Sequence, residues 1–102
     1  MMEKLRRQLR VLSKTHSLEI IGVLYENPTY ISDISGKIGI PYATTQQRVV
    51  ELMHCDLVEV FHTVDEFSRR PIKMVRIKNF RISMSPQTIK TMLSHDEKNI
   101  VL

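Results

Sequence analysis

The sequence lacks tryptophan and is poor in glycine and cysteine, with three glycines and one cysteine among 102 residues. A single cysteine cannot form an internal disulfide, which favours a reducing compartment such as the cytoplasm. Three glycines leave almost no room for a glycine-rich phosphate loop. No apolar run approaches the roughly 18–20 residues of a membrane span, and the chain does not start with the long apolar core of a signal peptide. We therefore expect a cytoplasmic protein with no membrane partner.

The sequence also contains little that would serve catalysis. It has no Ser/His/Asp pattern in a supporting context and no carboxylate pair in an apolar setting. Metal binding is not expected either, because His54 and Cys55 are neighbours on a predicted helix, where their side chains diverge by about 100°. We predict a protein that is not an enzyme and has no cofactor, and nothing indicates a small-molecule effector.

The composition is that of one globular domain with an uneven charge. Hydrophobic residues make up 42% and charged residues 25%, close to the average of folded domains, so residues 1–102 are expected to form a single domain. The formal net charge of +4 combines four segments: a net +4 over residues 1–14, a net −6 over residues 15–66, a net +7 over residues 67–95, which hold no acidic residue, and a net −1 over residues 96–102. A polyanionic partner would therefore contact mainly the third of these segments, with the first as a second candidate.

Apolar spacing predicts four helices in the first half of the chain. They are expected at residues 2–12, from a cap at 13–15 to 26, at 31–38 and at 42–55. Leu18 and Tyr25 belong to the predicted inner set of the second helix, which ends at Asn27 because a residue before proline disfavours helix. The break at Gly39-Ile40-Pro41 separates the third helix from the fourth.

After the fourth helix the apolar period changes from 3.6 to 2. Residues 57–64 and 72–84 alternate like strands on either side of a polar loop. The apolar positions move from odd to even numbers across Lys78-Asn79, which predicts a bulge or a break there. Ser85-Pro86 is a cap for a last helix that reaches about Leu93, and the chain from His95 onward is expected to fray.

This order of elements predicts an α+β, mainly α-helical fold: a winged helix-turn-helix, α-α-α-α-β-β-α, with the β-hairpin as the wing. The third helix, the turn at Gly39 and the fourth helix form the helix-turn-helix. In such a layout the recognition helix, here residues 42–55, enters the major groove of DNA, and the wing, here residues 65–73, reaches the flanking backbone.

Three segments within about residues 11–84 combine apolar spacing, the glycine turn and a Leu-Val strand entry after the fourth helix. They are Val11-Leu12-Ser13 with Leu18-Glu19-Ile20-Ile21-Gly22-Val23-Leu24, Ile31-Ser32-Asp33-Ile34-Ser35 with Ile38-Gly39-Ile40, and Val49-Val50-Glu51-Leu52 with Asp56-Leu57-Val58-Glu59-Val60. In these segments the sequence resembles the winged helix-turn-helix transcriptional regulators of the ArsR type, especially their short archaeal members. The resemblance implies a homodimer that is joined through terminal helices and binds palindromic operators. The chain departs from the family at Ser17, where arginine is frequent, and it lacks the thiol metal motif on the helix before the turn.

The candidate DNA contacts lie on the recognition helix and on the wing. Glutamine can bind adenine with two hydrogen bonds, threonine can touch a thymine methyl, and arginine can meet phosphate or the minor groove. The candidates are Tyr42, Thr44, Gln46, Gln47 and Arg48 on the helix, and Arg69, Arg70 and Lys73 on the wing. We expect most of the electrostatic affinity from the wing, with its acids Asp65 and Glu66 turned away from phosphates or paired with Arg69 or Arg70.

The terminal segments, residues 1–14 and 86–102, predict a homodimer. Each carries an apolar stripe that has little of its own domain to cover, and burying one such side chain contributes about 1.5–3 kcal/mol. The predicted interface residues are Leu5, Leu9, Leu12, Ile89, Met92 and Leu93.

Two classes of function remain open. The first is a homodimeric, nucleoid-associated transcriptional regulator that binds specific sequences of double-stranded DNA. The alternative is a winged-helix module for protein–protein interaction within a transcription or processing complex, which the acidic residues 15–66 and the low charge of the recognition helix favour. A ligand- or metal-sensing repressor is a third class, but it would need thiol chemistry that one cysteine barely permits.

Overall fold

A computed structural model describes the backbone of residues 2–99 and the side chains of residues 2–94. Within this range, five helices and three strands follow one another along the chain. They are α1 (Met2–Leu12), α2 (Ser17–Glu26), β1 (Thr29–Tyr30), α3 (Ile31–Ile38), α4 (Tyr42–His54), β2 (Val58–Val64), β3 (Pro71–Ile77) and α5 (Pro86–Asn99). The predicted α+β fold with a helix-turn-helix and a hairpin is confirmed, with one short strand more than predicted.

The core lies where α2, α3 and α4 meet the base of the sheet. Its fully buried apolar side chains are Ile20, Leu24, Ile34, Val49, Leu52, Leu57, Val58 and Val75. The prediction that Leu18 and Tyr25 face the core was wrong, since these side chains are 65% and 79% exposed. The buried stripe of α2 runs instead from Ser17 through Ile20 to Leu24, at the i, i+3, i+7 spacing of one helix face.

The start of α2 also differs from the prediction. The expected cap at residues 13–15 closes α1 instead, because Ser13 N donates to Leu9 O and the Ser13 hydroxyl donates to Arg10 O. The chain then turns through His16, which has a positive φ of 74°, and α2 begins at Ser17 without a side-chain cap. The Ser17 hydroxyl is fully buried and donates to Val11 O, so it ties the two helices together.

The turn between α3 and α4 is built on Gly39. Its φ of 80° lies in the left-handed region that favours glycine, and its N–H donates to Ser35 O at 2.8 Å. Pro41 precedes the first residue of α4 and its carbonyl accepts the Thr45 hydroxyl. The helix ends at His54, one residue earlier than predicted, with Cys55 as the C-cap.

The sheet is antiparallel in the order β1-β3-β2. Val60 lies opposite Val75 in the β2–β3 hairpin, and Thr29 of β1 lies on the other side of Val75. The prediction missed β1, since a two-residue strand is too short to show an alternating pattern. Lys78 N still donates to Leu57 O, but no strand follows in the described chain, so the predicted strand structure up to Met84 was wrong. The break itself falls at the predicted position.

The last helix begins as predicted and extends further. The Ser85 side chain accepts the N–H of Thr88 at 3.1 Å, which confirms the cap before Pro86. The helix continues to Asn99, beyond the predicted end near Leu93. The expected fraying from His95 is therefore wrong for the backbone of residues 95–99, while residues 100–102 lie outside the described part of the chain. None of the described helices combines the length and apolarity needed to cross a membrane.

The molecule is elongated. Its radius of gyration is 16.6 Å and its extents are 58 × 24 × 23 Å, whereas a compact domain of this length has a radius of gyration of about 13 Å. The connection of residues 78–85 places α5 beside α1. The terminal helices thus meet each other outside the central core.

Candidate nucleic-acid interface

The recognition helix α4 presents a largely neutral surface to solvent. Thr45, Val49 and Leu52 fix one side of the helix in the core. The opposite side is exposed at Ala43, Gln47, Val50 and His54, while Tyr42 (49% exposed) and the half-buried Gln46 lie at its edge. Three predicted contact residues, Tyr42, Gln46 and Gln47, are therefore presented together.

Ala43 and Val50 share this surface and were not among the predicted residues. Both flank Gln47, four residues before it and three residues after it, so helical spacing alone could have identified them. Their methyl groups supply apolar contact area of the kind that meets a thymine methyl in a major groove.

Arg48 lies on a different side of α4 and is engaged within the chain. Its Nε donates to Thr15 O at 3.2 Å, and its Nη1 lies 2.8 Å from Glu51 Oε2. Its side chain is only 16% exposed. The guanidinium thus braces α4 against the turn between α1 and α2. Thr44, half-buried, lies one helical turn before Arg48 on the same side.

Glu51 is the acidic centre of this brace. Lys14 Nζ lies 2.7 Å from the same Oε2 atom that binds Arg48. The hydrogen bond from Lys14, with the positive charge of Arg48 in addition, lowers the pKa of Glu51 although partial burial raises it. Arg48, the one lysine or arginine of α4, is therefore largely neutralised by Glu51, which leaves no lysine or arginine charge on the exposed side of the helix.

The wing tip is closed by backbone hydrogen bonds between Asp65 and the arginines. Asp65 N donates to Arg70 O at 3.0 Å, and Arg69 N donates to Asp65 O at 2.9 Å, with Arg69 at a positive φ of 59°. The Asp65 carboxylate accepts the N–H groups of Phe67 and Ser68 at 2.8 and 3.3 Å. These bonds, Phe67 first, lower the pKa of Asp65. The carboxylate is thus turned to the loop backbone, while Arg69 and Arg70 remain exposed.

The start of α4 and the base of the wing line one groove of about 400 Å³. Tyr42 of α4, Ser32 of α3 and Lys73 of β3 contribute to its walls. The structure therefore brings two predicted contact residues, Tyr42 and Lys73, to one concave surface, with Arg69 and Arg70 beyond it at the wing tip. Ser32 was missed because its position on α3 gives no signal of its own in the sequence.

The terminal helices bring most of the predicted interface residues together. Leu9, Ile89, Met92 and Leu93 line a groove of about 320 Å³ between α1 and α5, with Arg6 and Arg10 at its rim. Met92 is buried within the monomer, whereas Ile89 and Leu93 keep 45% and 47% of their surface exposed. Leu5 is half-buried on α1, and Leu12 packs partly against the core.

Comparison with known proteins identifies the fold. No family model and no curated protein matches the sequence. A possible ArsR-family regulator from Mycobacterium bovis, solved as a homodimeric winged helix-turn-helix DNA-binding domain, aligns with a TM-score of 0.61 and 16% identity over 95% of this chain and 79% of that one. A possible transcriptional regulator from Methanosarcina mazei Go1 aligns with a TM-score of 0.57 and 9% identity over 90% of this chain and 73% of that one.

The adhesin competence repressor of Streptococcus pyogenes has a TM-score of 0.55 and 13% identity over 84% of this chain and 59% of its own length. These three proteins differ widely in sequence from this chain, with identities of 9–16%. Their shared architecture confirms the winged helix-turn-helix fold that the resemblance to ArsR-type regulators implied.

Proposed function

We propose that this protein is a transcriptional regulator that binds specific sequences of double-stranded DNA as a homodimer. The recognition helix α4 lies in the major groove, and the wing, residues 65–73, lies on the flanking backbone. The observation that carries the proposal is the shared groove, in which Tyr42 at the start of α4 faces the same concave surface as Lys73 on the wing. The solved proteins of the same fold are described as DNA-binding or as regulators.

The two parts of this surface have different roles. Gln46, Gln47 and Tyr42 offer hydrogen bonds and apolar contact to base edges, which specify sequence. Arg69, Arg70 and Lys73 supply the charge that binds phosphates, because Arg48 of α4 is engaged with Glu51 and Thr15. Arg48 acts as a positioning residue that holds α4 at its angle to the rest of the domain. A nucleoid-associated location in the cytoplasm follows from this role.

The test is equilibrium binding of labelled duplexes, measured by fluorescence anisotropy at several salt concentrations. If both wings of a dimer neutralise three phosphates each, the slope of log K against log salt is about −5. Selection of bound duplexes from a random pool then supplies the sequence, and a palindromic consensus is expected from a two-fold symmetric dimer. The absence of salt-dependent binding to any duplex contradicts the proposal.

The homodimer is proposed to form through α1 and α5. A second copy would cover the exposed surface of Ile89 and Leu93 and the half-buried Leu5 and Leu9 at the groove between these helices. The elongated shape supports this, because α5 lies outside the core and leaves its apolar side accessible. Light scattering after size-exclusion chromatography gives the mass of the assembly directly.

A protein-interaction module remains the competing function, supported by the acidic segment of residues 15–66 and by the neutralised Arg48. Reversing both wing arginines, Arg69→Glu with Arg70→Glu, separates the two. DNA binding should be lost if the wing binds phosphate, whereas capture of a protein partner through another surface should persist. Lys37→Glu, an exposed reversal in the last turn of α3, is the matched control for a general effect of charge.

A further inference from the structure

The wing tip carries a phenylalanine that the proposed DNA contacts do not use. Phe67 is 96% exposed, more than any other large hydrophobic side chain in the described part of the chain. Single exposed apolar residues are common on protein surfaces. This one differs in its setting, because it stands at the end of a hairpin between the acidic Asp65-Glu66 and the basic Arg69-Arg70.

The backbone holds Phe67 in place. Its N–H is bonded to the Asp65 carboxylate, and Ser68 Oγ accepts the N–H of Arg70 at 3.3 Å on the other side of the tip. The loop is therefore ordered by hydrogen bonds at both of its sides, while the aromatic ring projects from it. An ordered loop with a projecting ring loses little conformational entropy when the ring is buried by a partner.

The charge beside the ring indicates the partner. Arg69 and Arg70 are exposed, and the Asp65 carboxylate binds backbone N–H groups instead of forming an ion pair with either guanidinium. A projecting aromatic ring beside two exposed cations suits a polyanion that also offers apolar stacked rings. The arginines would bind its anionic groups, and the phenylalanine ring would contact its stacked rings. Duplex DNA presents these together at the minor groove, where phosphates flank the edges of stacked bases.

We propose that Phe67 acts as an apolar wedge, inserting from the minor groove between two base pairs that flank the sequence read by α4. This inference rests on the proposed function. The ring partly unstacks the base step and bends the duplex away from the wing, while Arg69 and Arg70 hold the phosphates on either side. The wedge selects flexible pyrimidine–purine steps, TA or CA/TG, because these unstack at the lowest cost.

The wedge adds specificity that the recognition helix lacks. In the proposed complex α4 contacts bases only through neutral side chains. Insertion of Phe67 at the flanking base steps would therefore reduce the number of DNA sequences that the protein binds tightly. Selected duplexes should therefore carry TA or CA/TG steps at a fixed distance outside each half-site, although no side chain hydrogen-bonds to those base pairs.

The test uses the full chain and the duplex obtained by selection, with 2-aminopurine replacing an adenine at the flanking step. The wild-type protein should raise the 2-aminopurine fluorescence, because the probe brightens when it is unstacked. Phe67→Ala should remove this rise and weaken binding about tenfold, with the salt slope unchanged because no charge is lost. Phe67→Leu, which keeps an apolar wedge, should retain most of the signal.

Glu66→Ala, a neighbouring change at the same tip, serves as the control and should leave the fluorescence rise in place. All three variants should unfold at the wild-type temperature, since both side chains are exposed. If Phe67→Ala binds with wild-type affinity and the same fluorescence rise, the wedge is refuted and DNA binding by α4 and the wing stands. If the wild-type protein binds no duplex, the proposed function fails and the wedge fails with it.

Discussion

At the residue scale, the position of each side chain around α4 explains which candidate DNA contacts could be predicted from the sequence. Helical spacing separates Tyr42, Gln46 and Gln47 from the buried side chains, and the structure presents these three to solvent. The same spacing cannot show what a half-buried side chain meets. The partners of Arg48 include Thr15, 33 residues earlier in the chain, so its internal role depends on tertiary packing that no local pattern reveals.

Replacing Arg48 with alanine should therefore affect stability more than DNA contact. The variant loses its bond to Thr15 O and its ion pair with Glu51, which together contribute about 0.5–1.5 kcal/mol to the free energy of unfolding. Urea unfolding should show this loss. The salt slope of DNA binding should stay at the wild-type value, whereas Arg69→Ala should reduce it by about 0.9 for each wing. A reduced slope in Arg48→Ala would show a phosphate contact instead.

Glu51 gives this brace a pH dependence. Because the folded state lowers the pKa of Glu51, mainly through the hydrogen bond from Lys14, the folded state binds its proton less readily than the unfolded chain. The resulting stabilisation is present above the ordinary glutamate pKa and is lost as the pH falls through the lowered value. Between pH 7 and pH 3, Glu51→Gln should thus lose less unfolding free energy than the wild type in urea titrations. An identical loss in both would exclude this contribution.

At the scale of elements, hydrophobic period and breakers predicted the bounds of α1, α3, α4 and β2, and the start of β3, within a residue or two. Errors arose where local signals compete with packing. Ser13 looks like an N-cap in the sequence but closes α1, since the chain needs residues 13–16 to turn before α2 can place Ser17 and Ile20 in the core. The alternation from Phe80 to Met84 resembles a strand, yet no neighbouring strand pairs with it within the described residues.

Two glycines, Gly39 in the turn after α3 and Gly22 inside α2, give opposite predictions for substitution by alanine. At Gly39 the positive φ of 80° is unfavourable for any side chain, so Gly39→Ala should lower the unfolding free energy by about 1–2 kcal/mol although a Cβ would contact nothing. At Gly22, inside α2, an added Cβ also contacts nothing and the backbone is helical. Gly22→Ala should therefore raise the unfolding free energy by about 0.5–1 kcal/mol.

The urea midpoints of the two variants test these predictions: the midpoint should fall for Gly39→Ala and rise for Gly22→Ala. Gly39→Asn is the control, because asparagine tolerates the left-handed conformation better than alanine does and should recover part of the loss. Equal shifts in the same direction for Gly39→Ala and Gly22→Ala would contradict the assignment of the turn.

At the scale of the whole molecule, the structure shows where the basic segments of the sequence lie. The basic residues after Glu66 lie on the wing, on β3, along the connection to α5 and on α5 itself. On α1, Arg6 and Arg10 border the groove against α5. Some of this charge is paired internally, since Arg76 binds Glu59 and lies over the ring of Phe61, and Lys78 lies 3.4 Å from Asp56. The unpaired positive charge is therefore smaller than the seven basic residues suggest, and Arg69, Arg70 and Lys73 place part of it on the wing.

Assembly should determine DNA affinity, because one domain offers only a short neutral helix and one wing. Ile89→Glu combined with Leu93→Glu places two charges on the exposed apolar side of α5, where a second copy would have to bury them. The variant should run as a monomer in light scattering. Lys90→Glu, an exposed change on the same helix, should remain a dimer.

Binding to the selected palindrome should then weaken by at least tenfold in the monomeric variant, because two linked half-sites gain from a shared effective concentration that one half-site lacks. Binding to a duplex with a single half-site should be nearly the same for the variant and the wild type, since α4 and the wing are unchanged. A monomeric variant that binds the palindrome as tightly as the wild type would show that each domain recognises DNA alone, and α5 would then have no part in recognition.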